Sequence, residues 1–266
     1  MRILLIGDVV GRPGLDALAA ALPGLVIQYE PAFIIVNGEN VAAGKGINTE
    51  SARRMFDLGV DVITLGNHAW NRPEIISYME REPRILRPAN YPQGAPGQGH
   101  GVYTASNGAA IGVANVMGRA LMDPIDDPFR AVDAIIDDFR ARNANVSCID
   151  FHAEATSEKQ AFGHYVDGRI SVVAGTHTHV QTADERILEN GTGYITDIGM
   201  TGPQNSVIGV DSRQVIERFL TLRPMRYEVA DGPCMLNGVA VTLNRQSGRA
   251  TAIERIALRN LGEDRY

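Results

Sequence analysis

A chain of 266 residues, 44% hydrophobic and 21% charged, is long enough to bury a sizeable core in one large domain or two small ones. Its formal net charge of −6 argues against an extended nucleic-acid surface, which needs clustered lysine and arginine, but not against a small anion held locally. The two cysteines, Cys148 and Cys234, form no CxxC pattern, so they read as free thiols in a reducing compartment rather than a zinc or redox pair.

The first predicted element is a strand at 2–7, "RILLIG". Its apolar run is shorter than a secretory h-region, and no later run reaches the ~18 residues of a membrane span. A soluble cytoplasmic protein with no membrane partner is expected. Further strands follow at 32–38 "AFIIVNG", 60–66 "VDVITLG", 146–152 "VSCIDFH" and 170–175 "ISVVAG". Each is a nearly continuous apolar run, as in central strands covered on both faces. Between them, 49–59 reads as a helix capped by Thr49 and closed by Gly59. The stretch 127–142 reads as another, with Asp127 as cap, Pro128 at the first turn, and Phe129, Val132, Ile136 and Phe139 on one stripe. A weaker helical pattern covers 158–166. Beyond about residue 184 the pattern turns to hairpins, one across Asn190-Gly191 and one within "MLNGVAVTLNRQSGRATAIERIAL". The Gly- and Pro-rich loop 90–101 is too short to separate domains, and a single domain over 1–266 is expected.

The polar residues that close these strands carry the chemistry. Asp8 follows the first, Glu39 and Asn40 the second, and Asn67 and His68 the third; His152 ends the fourth, and His177 and His179 follow the fifth. In a mainly parallel sheet the carboxyl ends share one edge, so these groups can converge. Oxygen and imidazole donors without thiolate suit hard to borderline divalent metals. Gly7, Gly38, Gly66 and Gly175 precede the candidates closely and leave room for tight approach. Two nucleotide motifs fail by comparison. "AAGKGIN" lacks the P-loop spacing and its Ser or Thr, and the glycines at 7, 11 and 14 do not make GxGxxG.

The ordered motifs "GD" (7–8), "GEN" (38–40), "GNH" (66–68), "FHAE" (151–154) and "GTHTH" (175–179) resemble those of the calcineurin-like metallophosphoesterase superfamily. The longer strings "IGDVVGRPG", "VNGENVAAGKGI", "LGNHAW", "FHAEATSEK" and "GTHTHVQTAD" resemble more narrowly the bacterial YmdB-like phosphodiesterases. That resemblance implies an α/β (mixed α+β) fold, a four-layer αββα sandwich of two mixed β-sheets flanked by helices. It implies two divalent or mixed-valence metal ions, iron or manganese, and hydrolysis of 2′,3′- or 3′,5′-cyclic nucleotide phosphodiesters by metal-activated hydroxide. Carried over residue by residue, it gives one metal Asp8, Glu39, Asn40 and His179, and the other Glu39, Asn67, His152 and His177, with Glu39 bridging. His68 becomes the acid that protonates the leaving group.

Two departures stand out. Val10 occupies a position where the superfamily has a ligating histidine, so Asn40 is expected to fill that vacancy. Ala69 stands where an acidic residue would orient His68. Arg12, Lys45 and Arg87 are candidates for the substrate's phosphate, Thr201 and Gly202 for lining the pocket in a Gly-rich loop, and Trp70, Tyr91 and Phe162 for a base platform; His100 and His164 match no motif. A small phosphodiester is the expected partner, in a chain that could form a homo-oligomer. The competing reading is a regulator that binds a nucleotide or protein partner and hydrolyses slowly.

Overall fold

The computed structural model describes residues 1–262. The chain opens with β1 (Arg2–Ile6) and a two-residue strand β2 (Asp8–Val9), then α1 (Gly11–Tyr29), β3 (Phe33–Asn37), α2 (Thr49–Asp57) and β4 (Val62–Thr64). Next come α3 (Ile75–Met79), β5 (Ile85–Leu86), and the antiparallel pair β6 (His100–Thr104) and β7 (Ala110–Met117). A second βα run contains α4 (Pro128–Ala141), β8 (Val146–His152), α5 (Thr156–Val166) and β9 (Val172–Thr176). The chain then forms β10 (Arg186–Ile187), β11 (Gly193–Ile195), β12 (Met200–Pro203), α6 (Ser212–Thr221), β13 (Cys234–Leu243) and β14 (Ala250–Leu261). Among the described residues no helix is long and apolar enough to cross a membrane.

The strands make two mixed sheets. One runs β2-β12-β13-β1-β3-β4-β5, with β14 on β13, and the other runs β10-β11-β9-β8-β7-β6. Alternation along each strand divides its side chains between two cores. Leu4, Ile6, Ile34 and Val36 face Leu15, Leu18 and Leu22 of α1 and Met55 of α2. Ile3, Leu5, Phe33 and Ile35 meet Ile111, Val113, Cys148 and Val172 of the other sheet. On that sheet's far side Ala114, Ile149, Phe151 and Val173 pack against Val132 and Phe139 of α4 and Phe162 of α5. The order is therefore helices, sheet, sheet, helices, as expected.

All five anticipated strands are present: β8 has the expected bounds, β1 and β3 are trimmed by a residue or two, β4 shrinks to Val62–Thr64, and β9 is shifted to Val172–Thr176. The hairpins are also there, β10 with β11 and β13 with β14. Asp127 caps α4 as expected, its Oδ1 accepting from the amides of Phe129 and Arg130. The cap of α2 is Asn48 rather than Thr49, because the Asn48 carboxamide oxygen reaches the Ser51 amide at 2.8 Å. The weak pattern at 158–166 extends back to Thr156 as α5. Helices α1, α3 and α6 and strands β2, β5, β6, β7 and β12 had no sequence expectation. Phe162 is no base platform. It is fully buried and stacked on Phe151 with ring centroids 4.0 Å apart. Arg87 does not face phosphate either, since its guanidinium donates to the carbonyls of Pro88, Ala89, Ala95 and Pro96 and so ties up its own loop.

Candidate metal centre

Strands from both sheets deliver the polar residues to one place. Asp8 opens β2, Glu39 and Asn40 follow β3, Asn67 and His68 follow β4, His152 ends β8, and His177 and His179 follow β9. The sheets are pinned together just beneath. Asp150 on β8 accepts hydrogen bonds from Asn37 of β3 at 2.8 Å and from Thr64 of β4. Burial raises the Asp150 carboxyl, while the His152 charge and hydrogen bonds from Thr176, Thr64 and Asn37 oppose the shift.

The inner group is built around the Nε2 atom of His152, a fully buried residue. Asn67 Oδ1 lies 3.0 Å from it, His177 Nδ1 3.0 Å and Glu39 Oε1 3.2 Å. On the other side of the ring, Nδ1 is 2.8 Å from Thr176 Oγ1, whose proton goes to Asp150. That arrangement puts the imidazole proton on Nδ1 and turns the Nε2 lone pair toward Glu39. His177 is oriented the same way, with Nε2 3.2 Å from Glu154 Oε2 and Nδ1 facing inward. Burial, followed by the His152 charge, lowers His177 to about 3, so it stays a neutral donor.

A second group adjoins the first through Glu39. Asn40 Nδ2 is 3.1 Å from both Glu39 Oε1 and His179 Nε2, and His179 Nε2 is 3.8 Å from Asp8 Oδ1. A half-turn of the Asn40 amide would present its carbonyl oxygen there instead. The Nδ1 atom of His179 is tied at 2.8 Å to the Ile208 carbonyl, which again leaves Nε2 free. Val10 packs against Gly202 and Gly209 and takes no part. Asp8 Oδ2 accepts from the His177 amide at 3.4 Å, but Asp8 Oδ1 is buried without a hydrogen-bond partner. Burial raises this carboxyl well above its ordinary value, despite the nearby charges of His179 and His152.

An orphaned buried carboxylate oxygen beside inward-facing imidazoles is what a site for cations leaves when only its protein atoms are counted. Among the described residues Glu39, His152 and His177 alone form a compact group of potential metal-ligating side chains, their ligand atoms lying within 4.8 Å of one another. The local backbone protects the space. A β-carbon on Gly66 would stand 2.3 Å from His152 Nε2 and 2.4 Å from Glu39 Oε2. Burial pushes Glu39 up, but His152 and His68 outweigh it and hold the carboxylate ionised. Burial lowers the His152 pKa, but the charges of Glu39 and Asp8 outweigh it and raise it to about 9, and a divalent ion can take the place of the proton they hold there.

The remaining candidates are placed as follows. The His68 amide donates to Glu39 Oε2 at 3.2 Å, and no carboxylate among the described residues bonds its ring. Lys45 is exposed and close enough for its charge to help lower the His68 pKa, behind burial and against Glu39. Arg12 extends into solvent beside Asp16 at 3.7 Å. Thr201 is not in a loop but buried in β12, where its carbonyl accepts from the Val10 amide at 2.9 Å. Trp70 and Tyr91 pack on each other with ring centroids 4.6 Å apart. His100 pairs with Asp138, and His164 is exposed on α5. The sequence reading missed the residues that orient the ligands: Asp150, Thr176, Glu154 and the Ile208 carbonyl. An acidic residue within the apolar run "VSCIDFH" was a usable signal for Asp150. Glu154 and Thr176 sit within the motifs "FHAE" and "GTHTH", and only the Ile208 carbonyl has no local signal.

Two packed mixed sheets thus gather imidazoles, carboxylates and carboxamides at their strand ends. A Bacillus subtilis calcineurin-like phosphoesterase, YfkN, shares this fold with a TM-score of 0.60 at 14% identity, covering 98% of this chain and 91% of that one. The model of the YmdB-like protein family matches residues 4–256, and the chain belongs to that family. The Bacillus subtilis (strain 168) protein named 2′,3′-cyclic-nucleotide 2′-phosphodiesterase is 48% identical over 258 residues, 97% of each chain. A Mycoplasma pneumoniae structure described as a novel phosphatase superposes with a TM-score of 0.91 at 33% identity, covering 97% of this chain and 93% of that one. The names of these relatives are those of enzymes that hydrolyse phosphoesters, and this chain is a hydrolase of that family.

Proposed function

We propose that this protein is a phosphodiesterase that opens 2′,3′-cyclic nucleotides with the help of two divalent cations, iron or manganese. The observation that carries this reading is the position of Glu39. One of its oxygens, Oε1, faces both His152 at 3.2 Å and the Asn40 amide at 3.1 Å, and so stands between two groups of donors. Asp8, Glu39, Asn40 and His179 would hold one ion, and Glu39, Asn67, His152 and His177 the other. Two such ions supply an acidic water and positive charge for the phosphoryl oxygens.

Charge supports an anionic substrate. Two divalent ions against Asp8 and Glu39 leave a net charge near ~+2, which a phosphodiester and a hydroxide offset. The chain's own residues do the rest. Thr176, Glu154 and the Ile208 carbonyl keep the imidazole lone pairs aimed inward. His68 sits beside Glu39 but outside both donor groups, free to give a proton from its ring to the departing ribose oxygen. Burial is the largest cause lowering its pKa, and an arriving phosphodiester anion would oppose that shift. Lys45, exposed and near enough for its charge to act on His68, would attract the phosphate. The 2′,3′ ring is favoured over the 3′,5′ ring by the name of the 48% identical relative.

The test is hydrolysis by the metal-loaded protein of 2′,3′-cyclic AMP and 3′,5′-cyclic AMP in parallel, with products separated by chromatography. Release of the 3′-monophosphate from the first substrate at the higher kcat/KM is expected. Tight binding of either nucleotide with no turnover would instead make the protein a regulator.

A further inference from the structure

The turn that carries both histidines is unusual backbone. His177 has φ 95° and His179 φ 65°, both in the left-handed region that residues with a β-carbon avoid. Such a conformation persists only where the surroundings enforce it. Here the surroundings are a buried ion pair. Lys159 on α5 and Asp197, in the segment between β11 and β12, are each 1% exposed and stand 2.7 Å apart. The Lys159 ammonium also donates to the Thr176 carbonyl at 2.7 Å. Asp197 Oδ2 accepts from the Thr178 hydroxyl at 2.7 Å and the Thr178 amide at 3.2 Å, and Oδ1 accepts from the Gly199 amide at 2.8 Å. The residues on either side of His177 are thus tied to one pair of charges, neither of which touches the donor groups.

Stability alone is a poor reason for such a pair, because apolar side chains of the same volume usually serve a fold as well or better. What apolar side chains could not supply is this set of directed hydrogen bonds to residues 176 and 178. We propose that Lys159 and Asp197 are positioning residues. By clamping the left-handed turn they make His177 present Nδ1 to Glu39 and His152 while His179 presents Nε2 to Asp8 and Asn40. One short His-x-His segment is thereby divided between two cation positions. The proposal rests on the two-cation reading of the site.

Lys159→Met keeps the length and apolar stem of the side chain and removes the ammonium. The first readout needs no metal: the imidazole 15N and 1H resonances of His177 and His179 in the chelated protein. They are expected to shift and broaden in the variant, while the backbone spectrum away from residues 176–199 keeps its wild-type pattern. The second is Mn2+ titration, in which affinity is expected to fall about 10- to 100-fold. At low Mn2+ kcat should fall with occupancy, and saturating Mn2+ should restore it, which a general loss of structure would not allow. Thr178→Val, which deletes only the hydroxyl link to Asp197, should change both readouts in the same direction by less, and it decides the matter if Lys159→Met does not fold. Wild-type imidazole resonances and wild-type Mn2+ affinity in the folded variants would overturn the proposal. A wild-type protein that takes up no cation would sink the two-cation reading instead, and the metal-free spectra would still report whether the pair sets the turn.

Discussion

His152 Nδ1 lies 2.8 Å from Thr176 Oγ1, and this one contact decides which face of the buried imidazole is available for chemistry. Thr176 gives its own proton to Asp150, so its oxygen can only accept from His152. The Nε2 lone pair must then point at Asn67, His177 and Glu39. Two neighbouring strands, paired with His152 opposite Thr176, build the relation into the register of the second sheet.

Thr176→Val removes that link while keeping the side chain's shape. Asp150 Oδ1 and His152 Nδ1 are then buried without partners, which costs about 1–3 kcal/mol of stability. Chemical denaturation should show the midpoint lowered without a change of slope. Metal affinity should fall about 10- to 100-fold in the same variant. Unchanged values of both would mean that the ring needs no such orientation.

Two glycines separate site from scaffold. Gly66→Ala brings a methyl group within 2.3 Å of His152 Nε2 and 2.4 Å of Glu39 Oε2, side chains that can move apart. The expected outcome is a folded protein, by circular dichroism and melting temperature, that has lost metal uptake and turnover. Gly175→Ala drives its methyl group to 1.7 Å from the Thr196 carbonyl, which is backbone of the neighbouring segment. Its expected outcome is lost stability, about 1–3 kcal/mol or more, with activity falling only as the protein unfolds.

The contrast shows what a sequence can and cannot carry. Central strands were legible because each is a run of apolar residues that stops at a polar one, and the stopping residues proved to be neighbours in space. Helix α1 was illegible for a local reason. Gly11, Pro13, Gly14, Pro23 and Gly24 read as breakers, and they masked the stripe of Leu15, Leu18, Leu22 and Leu25. Yet Pro13 falls in the first turn, where its missing amide is harmless. Gly14 is needed because a β-carbon would meet the Thr201 carbonyl at 2.3 Å. The hairpin of β6 and β7, with Asn107-Gly108 at its turn, was a readable signal left unread. The insertion of β13 between β12 and β1 was beyond reach, since it pairs residues more than 200 positions apart. The seven candidate donors were named from their places at strand ends, and the fold brings them together. The groups that aim them were not: Glu154 and Thr176 lie inside the ordered motifs but were given no role, and nothing local marks the Ile208 carbonyl.

Asp8→Asn should separate stability from activity. Asp8 is wholly buried, its Oδ1 has no hydrogen-bond partner, and burial makes its charge costly. Replacing the carboxylate by a carboxamide removes that charge, so the metal-free variant should gain about 1–3 kcal/mol over metal-free wild type near neutral pH. Chelated samples compared by calorimetry would show it. The gain should reverse on adding Mn2+, because the wild type alone would then be fully stabilised by binding.

His68→Ala should leave metal content near the wild-type level, since the ring lies outside both donor groups. Its kcat should fall about 10²- to 10⁴-fold, the usual worth of a positioned general acid. A substrate with a better leaving group, such as a p-nitrophenyl phosphodiester, should lose much less. Equal losses of metal and turnover would place His68 among the ligands.

The most direct measurement is anomalous diffraction from crystals of the purified protein, collected on either side of the iron and manganese absorption edges. Two peaks sharing the carboxylate of Glu39 are expected, one beside Asn67, His152 and His177, the other beside Asp8, Asn40 and His179. A single ion elsewhere, or none after growth in excess metal, would contradict the two-cation centre and the hydrolase built on it.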